Sequence, residues 1–250
     1  MQDLPEYSYS KVKLFYDCPY SFFERYCDDI DKKFITSNGA AEFGTFVHKI
    51  LELYAKGILN KKEMLDYYYQ NFSKEIKSSF VLQLTDNFSK NLFENYYKSG
   101  KRYIEDFDEF KNFSIIEAEY EFREEILDSF ILHGKIDLVA RDENNNLVII
   151  DHKSKGKFKK GEKEEYAKQL YLYALAVKRK YGEYPKYLFF NMFRTQEMIK
   201  IEFNIDEYNR VLKWFISCVD EIENAFDFTA NKNTFFCRNF CDFRKICKYR

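Results

Sequence analysis

Residues 133–156 read HGKIDLVARDENNNLVIIDHKSKG. The residues up to Arg141 alternate apolar and polar as a half-buried strand does, DENNN supplies turn formers, and LVII is the unbroken apolar run of a strand covered on both faces. That run leads straight into Asp151, His152 and Lys153. An acid and an ammonium at the mouth of a core strand are costly to desolvate unless they have partners or a task. A hairpin centred on Asn144 sets Asp137 opposite Asp151 and Lys135 opposite Lys153. Strand alternation then puts Asp151 and Lys153 on one face and His152 on the other. Two carboxylates directly across a ladder repel each other unless a cation or a proton lies between them. A hard divalent cation resolves the conflict. Oxygens of Asp137 and Asp151, with the backbone carbonyl of His152, suit Mg2+ or Mn2+, and Lys153 stands close enough to polarise an attacking water. That is the chemistry of phosphodiester hydrolysis. An isolated D-x-K is usually a salt-bridged patch at a sheet end, so the surrounding motifs decide the reading.

Outward from this hairpin, the period predicts a helix in YSYSKVKLFYDCPYSFFERYC after a Ser cap and another in AEFGTFVHKILELYAKG ending at Gly57. Residues 58–112 are helical in period throughout and read as an inserted helical unit. Strands follow in IIEAEYEFREEI and FILHGKIDLVAR, then LVIIDHK. A long helix is expected over 162–181, stopped by Gly182 and Pro185, then strands in YLFFNMFR and MIKIEF, a helix over about 205–226 and a cysteine-rich tail. The fold class is therefore α/β, a central mixed sheet flanked by helices within one domain over 1–250.

Forty basic side chains balance forty-one acidic ones, so any polyanion site is local. The N-terminus carries no basic flank followed by an apolar run, and no stretch approaches a membrane span, so a cytoplasmic protein with no membrane role is expected. No Walker phosphate loop is present, so the chain has no recognisable motor.

The hairpin resembles the core of the PD-(D/E)XK nuclease superfamily, with its restriction-endonuclease-like fold, in the RecB-type branch. FGTFVHKILE is similar to that branch's histidine motif, and QLYLY to its Q-x-x-x-Y motif. The resemblance implies that His48 is a further metal ligand. It also implies that Gln169 and Tyr173, four apart on one helix face, position the scissile strand or order Lys153 and its water. Glu119, sharing parity with Glu117 on the preceding strand, is the further acid expected near the metal. Lys135 is a further candidate on the face of the two acids, and Lys155 and Lys157 are expected to face DNA from a flexible loop of six lysines over 153–163.

Cys237, Cys241 and Cys247 lie close in sequence, and Cys18 lies far from them. Four thiolates suit zinc or an iron–sulfur cluster, and spacing alone accepts either. The resemblance implies [4Fe–4S] over zinc, because a subset of RecB-type nucleases carries one cysteine before the core and three after it. Such a cluster would clip the tail, 235–250, to Cys18. Cys218 reads as a small buried hydrophobe and Cys27 as a spare thiol. The functional expectation is a Mg2+- or Mn2+-dependent deoxyribonuclease, an exonuclease on single strands or DNA ends. Its setting would be recombination, repair, replication or CRISPR adaptation in a bacterial or phage-infected cell, beside a helicase or other partner. The rival is a non-catalytic iron–sulfur subunit that binds DNA ends within a larger nuclease–helicase complex.

Overall fold

The computed structural model describes residues 4–28, 35–80, 86–108 and 110–249, with residues 86–90 as backbone alone. Residues 81–85 and 109 of the expected helical unit, and the last residue of the tail, lie outside the described part.

The chain order is β1 (Glu6–Tyr7), α1 (Tyr9–Asp17), α2 (Pro19–Tyr26), α3 (Gly39–Ala55), α4 (Lys61–Glu75) and α5 (Asp86–Glu105). It continues through β2 (Phe113–Ile126), β3 (Phe130–Asp142), β4 (Leu147–Lys153), α6 (Glu162–Tyr181), β5 (Tyr187–Met192), β6 (Glu197–Glu202), α7 (Ile205–Glu223) and α8 (Thr234–Asn239). The six strands form one mixed sheet in the order β1-β3-β4-β5-β6, with β2 also paired to β3. β1 runs parallel to β3, and β4 parallel to β5. The other pairings are antiparallel.

Helices cover both faces of the sheet. Leu147, Ile149, Phe190 and Val139 pack under α6 and α7, whereas Val148, Ile150, Leu138 and Phe189 pack under α3, α4 and α5. β4 is thus buried on both faces, which is why its sequence is apolar without alternation. α6 occupies 162–181 as the sequence predicts. Glu162, Glu164 and Glu165 stand in its first turn, Lys178, Arg179 and Lys180 in its last, and Gly182 takes the left-handed conformation that ends it.

Two expectations change. The N-terminal helix is two helices, broken at Cys18, whose φ of −163° and ψ of 101° are extended. Pro19 forces this, since its ring excludes helical backbone in the residue before it. β1, two residues long, carries no readable period.

The β2–β3 hairpin holds a further departure. Phe122, Ile126, Phe130, Leu132 and Ile136 face α6 and α7, but Ala118, Leu138 and Ala140, of the same parity, face α3–α5. Alternation is inverted between Tyr120 and Ala118 and between Ile136 and Leu138. The cause is Glu119, which adopts φ 57°, opposite Asp137. A left-handed residue in a strand adds local twist much as a bulge does.

Candidate active site

The face inversion coincides with a fork in the sheet. On the edge of β3 away from β2, Ile131 and Leu132 pair with β1, and Leu138 to Arg141 pair with β4. Among the described residues no strand pairs with the stretch between, which carries Asp137. The register is the one the hairpin predicts, Leu138 opposite Ile150 and Arg141 opposite Leu147. The ladder ends there, so Lys135 does not come to face Lys153. It pairs with Glu121 on β2, and its ammonium forms an ion pair with Glu119. Two ammoniums set directly opposite would repel, and Glu119 offers Lys135 a neutralising partner.

Four elements converge on the fork. Asp137 Oδ2 accepts from the backbone N–H of His152 at 2.6 Å, and its Oδ1 lies 3.6 Å from His48 Nδ1 on α3. Lys153 Nζ lies 2.7 Å from Asp151 Oδ2 and donates to Gln169 Oε1 at 3.1 Å. Gln169 Nε2 in turn donates to Tyr173 Oη at 2.6 Å, so α6 carries a chain of contacts from Tyr173 to Asp151. The ion pair falls outside hydrogen-bond geometry, and Asp151 Oδ2 is buried without a hydrogen-bond partner. Gly134 lets Tyr173 approach: a Cβ there would lie 2.8 Å from Phe122 Cζ and 2.9 Å from Tyr173 Cε1. Gly44, one helical turn before His48, sits against Ser154, which follows the β4 strand.

The two carboxylates are driven apart electrostatically. Burial raises Asp151, and nearby Asp137 raises it further, with Lys153 only partly offsetting the shift. Burial also works to raise Asp137, but the nearby charge of His48, with the bond from the His152 amide, leaves it well below the carboxylate range. Burial works to lower His48, and Asp137 and Asp151 more than compensate, so its imidazolium is favoured. His152 is pushed down to about 3 by burial and stays neutral.

His152 belongs to a network that the sequence reading did not find. Its side chain leaves the Asp151 face as expected, and stacks on Phe110 with ring centroids 5.7 Å apart. Asn191, fully buried on β5, places its amide 3.1 Å from His152 Nδ1 and donates to Tyr103 Oη of α5 at 2.6 Å. The sequence signal was a lone Asn inside the apolar run YLFFNM.

Other expected residues fall variously. Glu119 lines a cavity of about 420 Å3 together with His48, Asp137, Gly44 and Lys135. Glu117 instead points to Lys180 and Tyr181 at the far end of α6. The lysine loop is less free than its composition suggests. Phe158 packs on Tyr166 and Phe190, and Lys155 pairs with Glu162. Lys157 is exposed.

Cys18, Cys237, Cys241 and Cys247 all line one cavity of about 360 Å3 between the helix break and the tail. All four are half-buried free thiols, whereas Cys27 is exposed and Cys218 is buried in the core. Arg244 secures the tail beside them, its guanidinium donating to the carbonyls of Ser37 at 2.6 Å and Cys241 at 3.0 Å. Among the described residues, however, no group of three or more His, Cys, Asp or Glu side chains converges closely enough to hold a metal ion. At the fork the reason is visible: Asp151 is turned to Lys153, and Asp137 to His152 and His48. The donor chemistry still suits both groups. A buried carboxylate oxygen without a hydrogen-bond partner suits a hard cation, and four thiols around one cavity suit a cluster or zinc.

No helix among the described residues is long and apolar enough to cross a membrane. In comparisons with known proteins, the B subunit of the ATP-dependent helicase/deoxyribonuclease of Clostridium perfringens strain SM101 is 27% identical over 181 residues. Its counterpart in strain ATCC 13124 is 28% identical over that length. Each match covers 60% of this chain and only 15% of the relative. The profile of the PD-(D/E)XK nucleases matches residues 6–248, nearly the whole chain, and spans the fork, the histidine helix and the cysteine tail. The chain belongs to the PD-(D/E)XK nuclease superfamily.

Proposed function

We propose that this chain is a metal-dependent deoxyribonuclease that hydrolyses phosphodiester bonds exonucleolytically in single-stranded DNA or at DNA ends. The observation that carries the reading is the contact chain Tyr173–Gln169–Lys153–Asp151 standing beside Asp137 and His48 at the sheet fork. Asp137, Asp151, His48 and the His152 carbonyl would hold Mg2+ or Mn2+. A divalent cation bound there supplies Lewis acidity and an activated water. The protein's own part is positioning and charge. Gln169 fixes the Lys153 ammonium through its Oε1, and Tyr173 fixes Gln169 through its amide. Lys153 then stands ready to offset negative charge that develops on the phosphoryl oxygens. The His152 amide holds Asp137 in orientation, and Lys157, exposed on the loop after β4, would face the DNA backbone, joined by Lys155 and Lys135 once their ion pairs with Glu162 and Glu119 open.

Cys18, Cys237, Cys241 and Cys247 would hold a [4Fe–4S] cluster, in preference to zinc, that ties α1 and α2 to the tail. The whole chain acts as one nuclease domain, with 58–112 inserted in it and 235–250 as the clipped tail. The C. perfringens relatives are components of a helicase/deoxyribonuclease, which supports a cytoplasmic role in recombination, repair, replication or CRISPR adaptation beside a helicase or other partner.

The test is anaerobic purification followed by incubation with end-labelled single- and double-stranded DNA in Mg2+, Mn2+ or EDTA. Lys153→Ala should lower kcat by about 10²–10³-fold, and iron and sulfide analysis reads the cluster separately. DNA binding without metal-dependent cleavage by folded, cluster-loaded protein overturns the catalytic reading in favour of a DNA-binding role.

A further inference from the structure

Among the described residues, Arg194 is a cation without a carboxylate partner. It lies in the turn after β5, two residues past Met192, which is the register partner of Lys153 on the parallel strand β4. It therefore stands at the same carboxyl-end edge of the sheet as Asp151 and Lys153. This is the edge where open α/β sheets bind ligands. Its neighbour Phe193 meets the His48 ring edge-on, with centroids 5.9 Å apart.

The guanidinium is held, not loose. Its carbon sits 3.9 Å from the centre of the Tyr96 ring, and Tyr96 is itself braced edge-on by Phe43 of α3 at 5.0 Å. Yet Arg194 Nε is buried with no hydrogen-bond partner. Most of the other basic side chains near the fork are neutralised: Lys135 by Glu119, Lys155 by Glu162, and Lys153 by Asp151. Arg194 Nε is closed off from solvent, so an incoming ligand would meet the terminal amino groups of the guanidinium, which no carboxylate among the described residues engages. A planar guanidinium fixed by aromatic stacking presents paired N–H groups that match the oxygens of a phosphate diester.

We propose that Arg194, preorganised on Tyr96, is a substrate-binding residue that grips a DNA backbone phosphate next to the scissile bond. The inference rests on the nuclease reading and adds to it the side of the fork along which the strand runs: over α3 and the middle of α5 around Tyr96, not along the face of α6. Arg194 binds the strand and leaves the chemical step to the residues of the fork.

The experiment follows a 5′-fluorescein-labelled single-stranded oligodeoxynucleotide in EDTA from about 50 to 200 mM KCl, alongside cleavage kinetics with metal. It compares wild type with Arg194→Ala, Arg194→Gln, Arg194→Lys and Tyr96→Leu. Losing one phosphate contact should flatten the slope of log K against log [KCl] by about 0.7 in the Ala and Gln variants. KM should rise about 5–10-fold with kcat held, the pattern of lost binding shared by ground and transition states. Arg194→Lys should keep the slope, and Tyr96→Leu should raise KM more mildly because the charge persists without its platform. Melting temperatures identify any variant that fails to fold, in which case the Gln and Lys variants decide. An unchanged slope and KM, or a loss confined to kcat, overturns the assignment while cleavage abolished by Lys153→Ala leaves the nuclease reading intact. Wild-type protein that neither binds nor cuts the oligonucleotide overturns both.

Discussion

Replacing Gly134 by Ala adds one methyl group at the most crowded point of the fork. The new carbon would meet Phe122 at 2.8 and 2.9 Å and Tyr173 at 2.9 Å, on rings that are 4% and 7% exposed. Carbon atoms prefer separations of about 3.5–4.0 Å, so both rings must retreat by about 0.6 Å or more. Their movement is coupled: they pack edge-to-face on each other, with centroids 5.5 Å apart, and Tyr173 is tied to Gln169. Overpacking of this kind costs about 1–3 kcal/mol. In a chain of this size each kcal/mol lowers the melting temperature by about 2–4 °C, so a fall of roughly 2–12 °C is expected. The displacement also travels along the contact chain to Lys153, because Tyr173 positions Gln169 and Gln169 positions the ammonium. Cleavage should therefore drop by more than thermal instability explains, measured well below the melting transition. Differential scanning fluorimetry and single-turnover cleavage of labelled DNA at about 20 °C would read the two effects. A variant that melts within about 1 °C of wild type and cuts at the wild-type rate would refute the packing argument, since about 1 °C corresponds to roughly 0.5 kcal/mol or less.

Asn191→Ala removes one hydrogen-bond contact from buried His152 Nδ1 and one from Tyr103 Oη. Chemical denaturation should show a loss of about 1–3 kcal/mol, and a loss under about 0.5 kcal/mol would mean the network contributes little. Glu42 accepts from the amides of Lys77 and Ser78 and from the Ser78 hydroxyl, tying α3 to the segment after α4. Burial works to raise its pKa, but the bonds from Ser78 and Lys77 prevail and leave it below 4.5. A depressed carboxylate contributes stability that is complete above its unfolded pKa and disappears as pH falls through the folded value. The stability gap between wild type and Glu42→Gln should thus be constant near neutrality and close below pH 4.5, and thermal melts across pH would expose a gap that fails to close.

Much of the fork was readable in the residues. The DENNN turn fixes the β3–β4 register as far as Leu138 and Ile150, one residue short of the expected Asp137–Asp151 pair, and Asp137 bonds instead to the His152 amide. Strong end charges and a glycine stop place α6 to the residue. Lys153, Gln169 and Tyr173 stand out from their motifs, and the last two touch because i and i+4 share a helix face. What escaped reading was long-range or unsupported by period. A positive φ at Glu119 has no signature in a residue that is not glycine or asparagine, so the inverted faces of the β2–β3 hairpin were invisible, and with them the diversion of Lys135 to Glu119. Asn191 and Arg194 matter only because a helix distant in sequence brings Tyr103 and Tyr96 to them. The Cys18 break, by contrast, was available in the sequence: Pro19 announces it.

β1 is made of Glu6 and Tyr7, and its strand partners are Ile131 and Leu132. On a ribosome, which emits the chain from its N-terminus, those two residues are out about 125 residues before anything exists for them to pair with. The Tyr7 hydroxyl also donates to Glu223, at the end of α7, so the segment is clasped only once α7 has been made. Closing so long a loop is slow, though the added entropy grows only with the logarithm of its length. One jaw of the fork is therefore clasped only after α7 has emerged, and a nascent chain whose β3 and β4 are already paired still lacks that side of the slot until residue 223 is out.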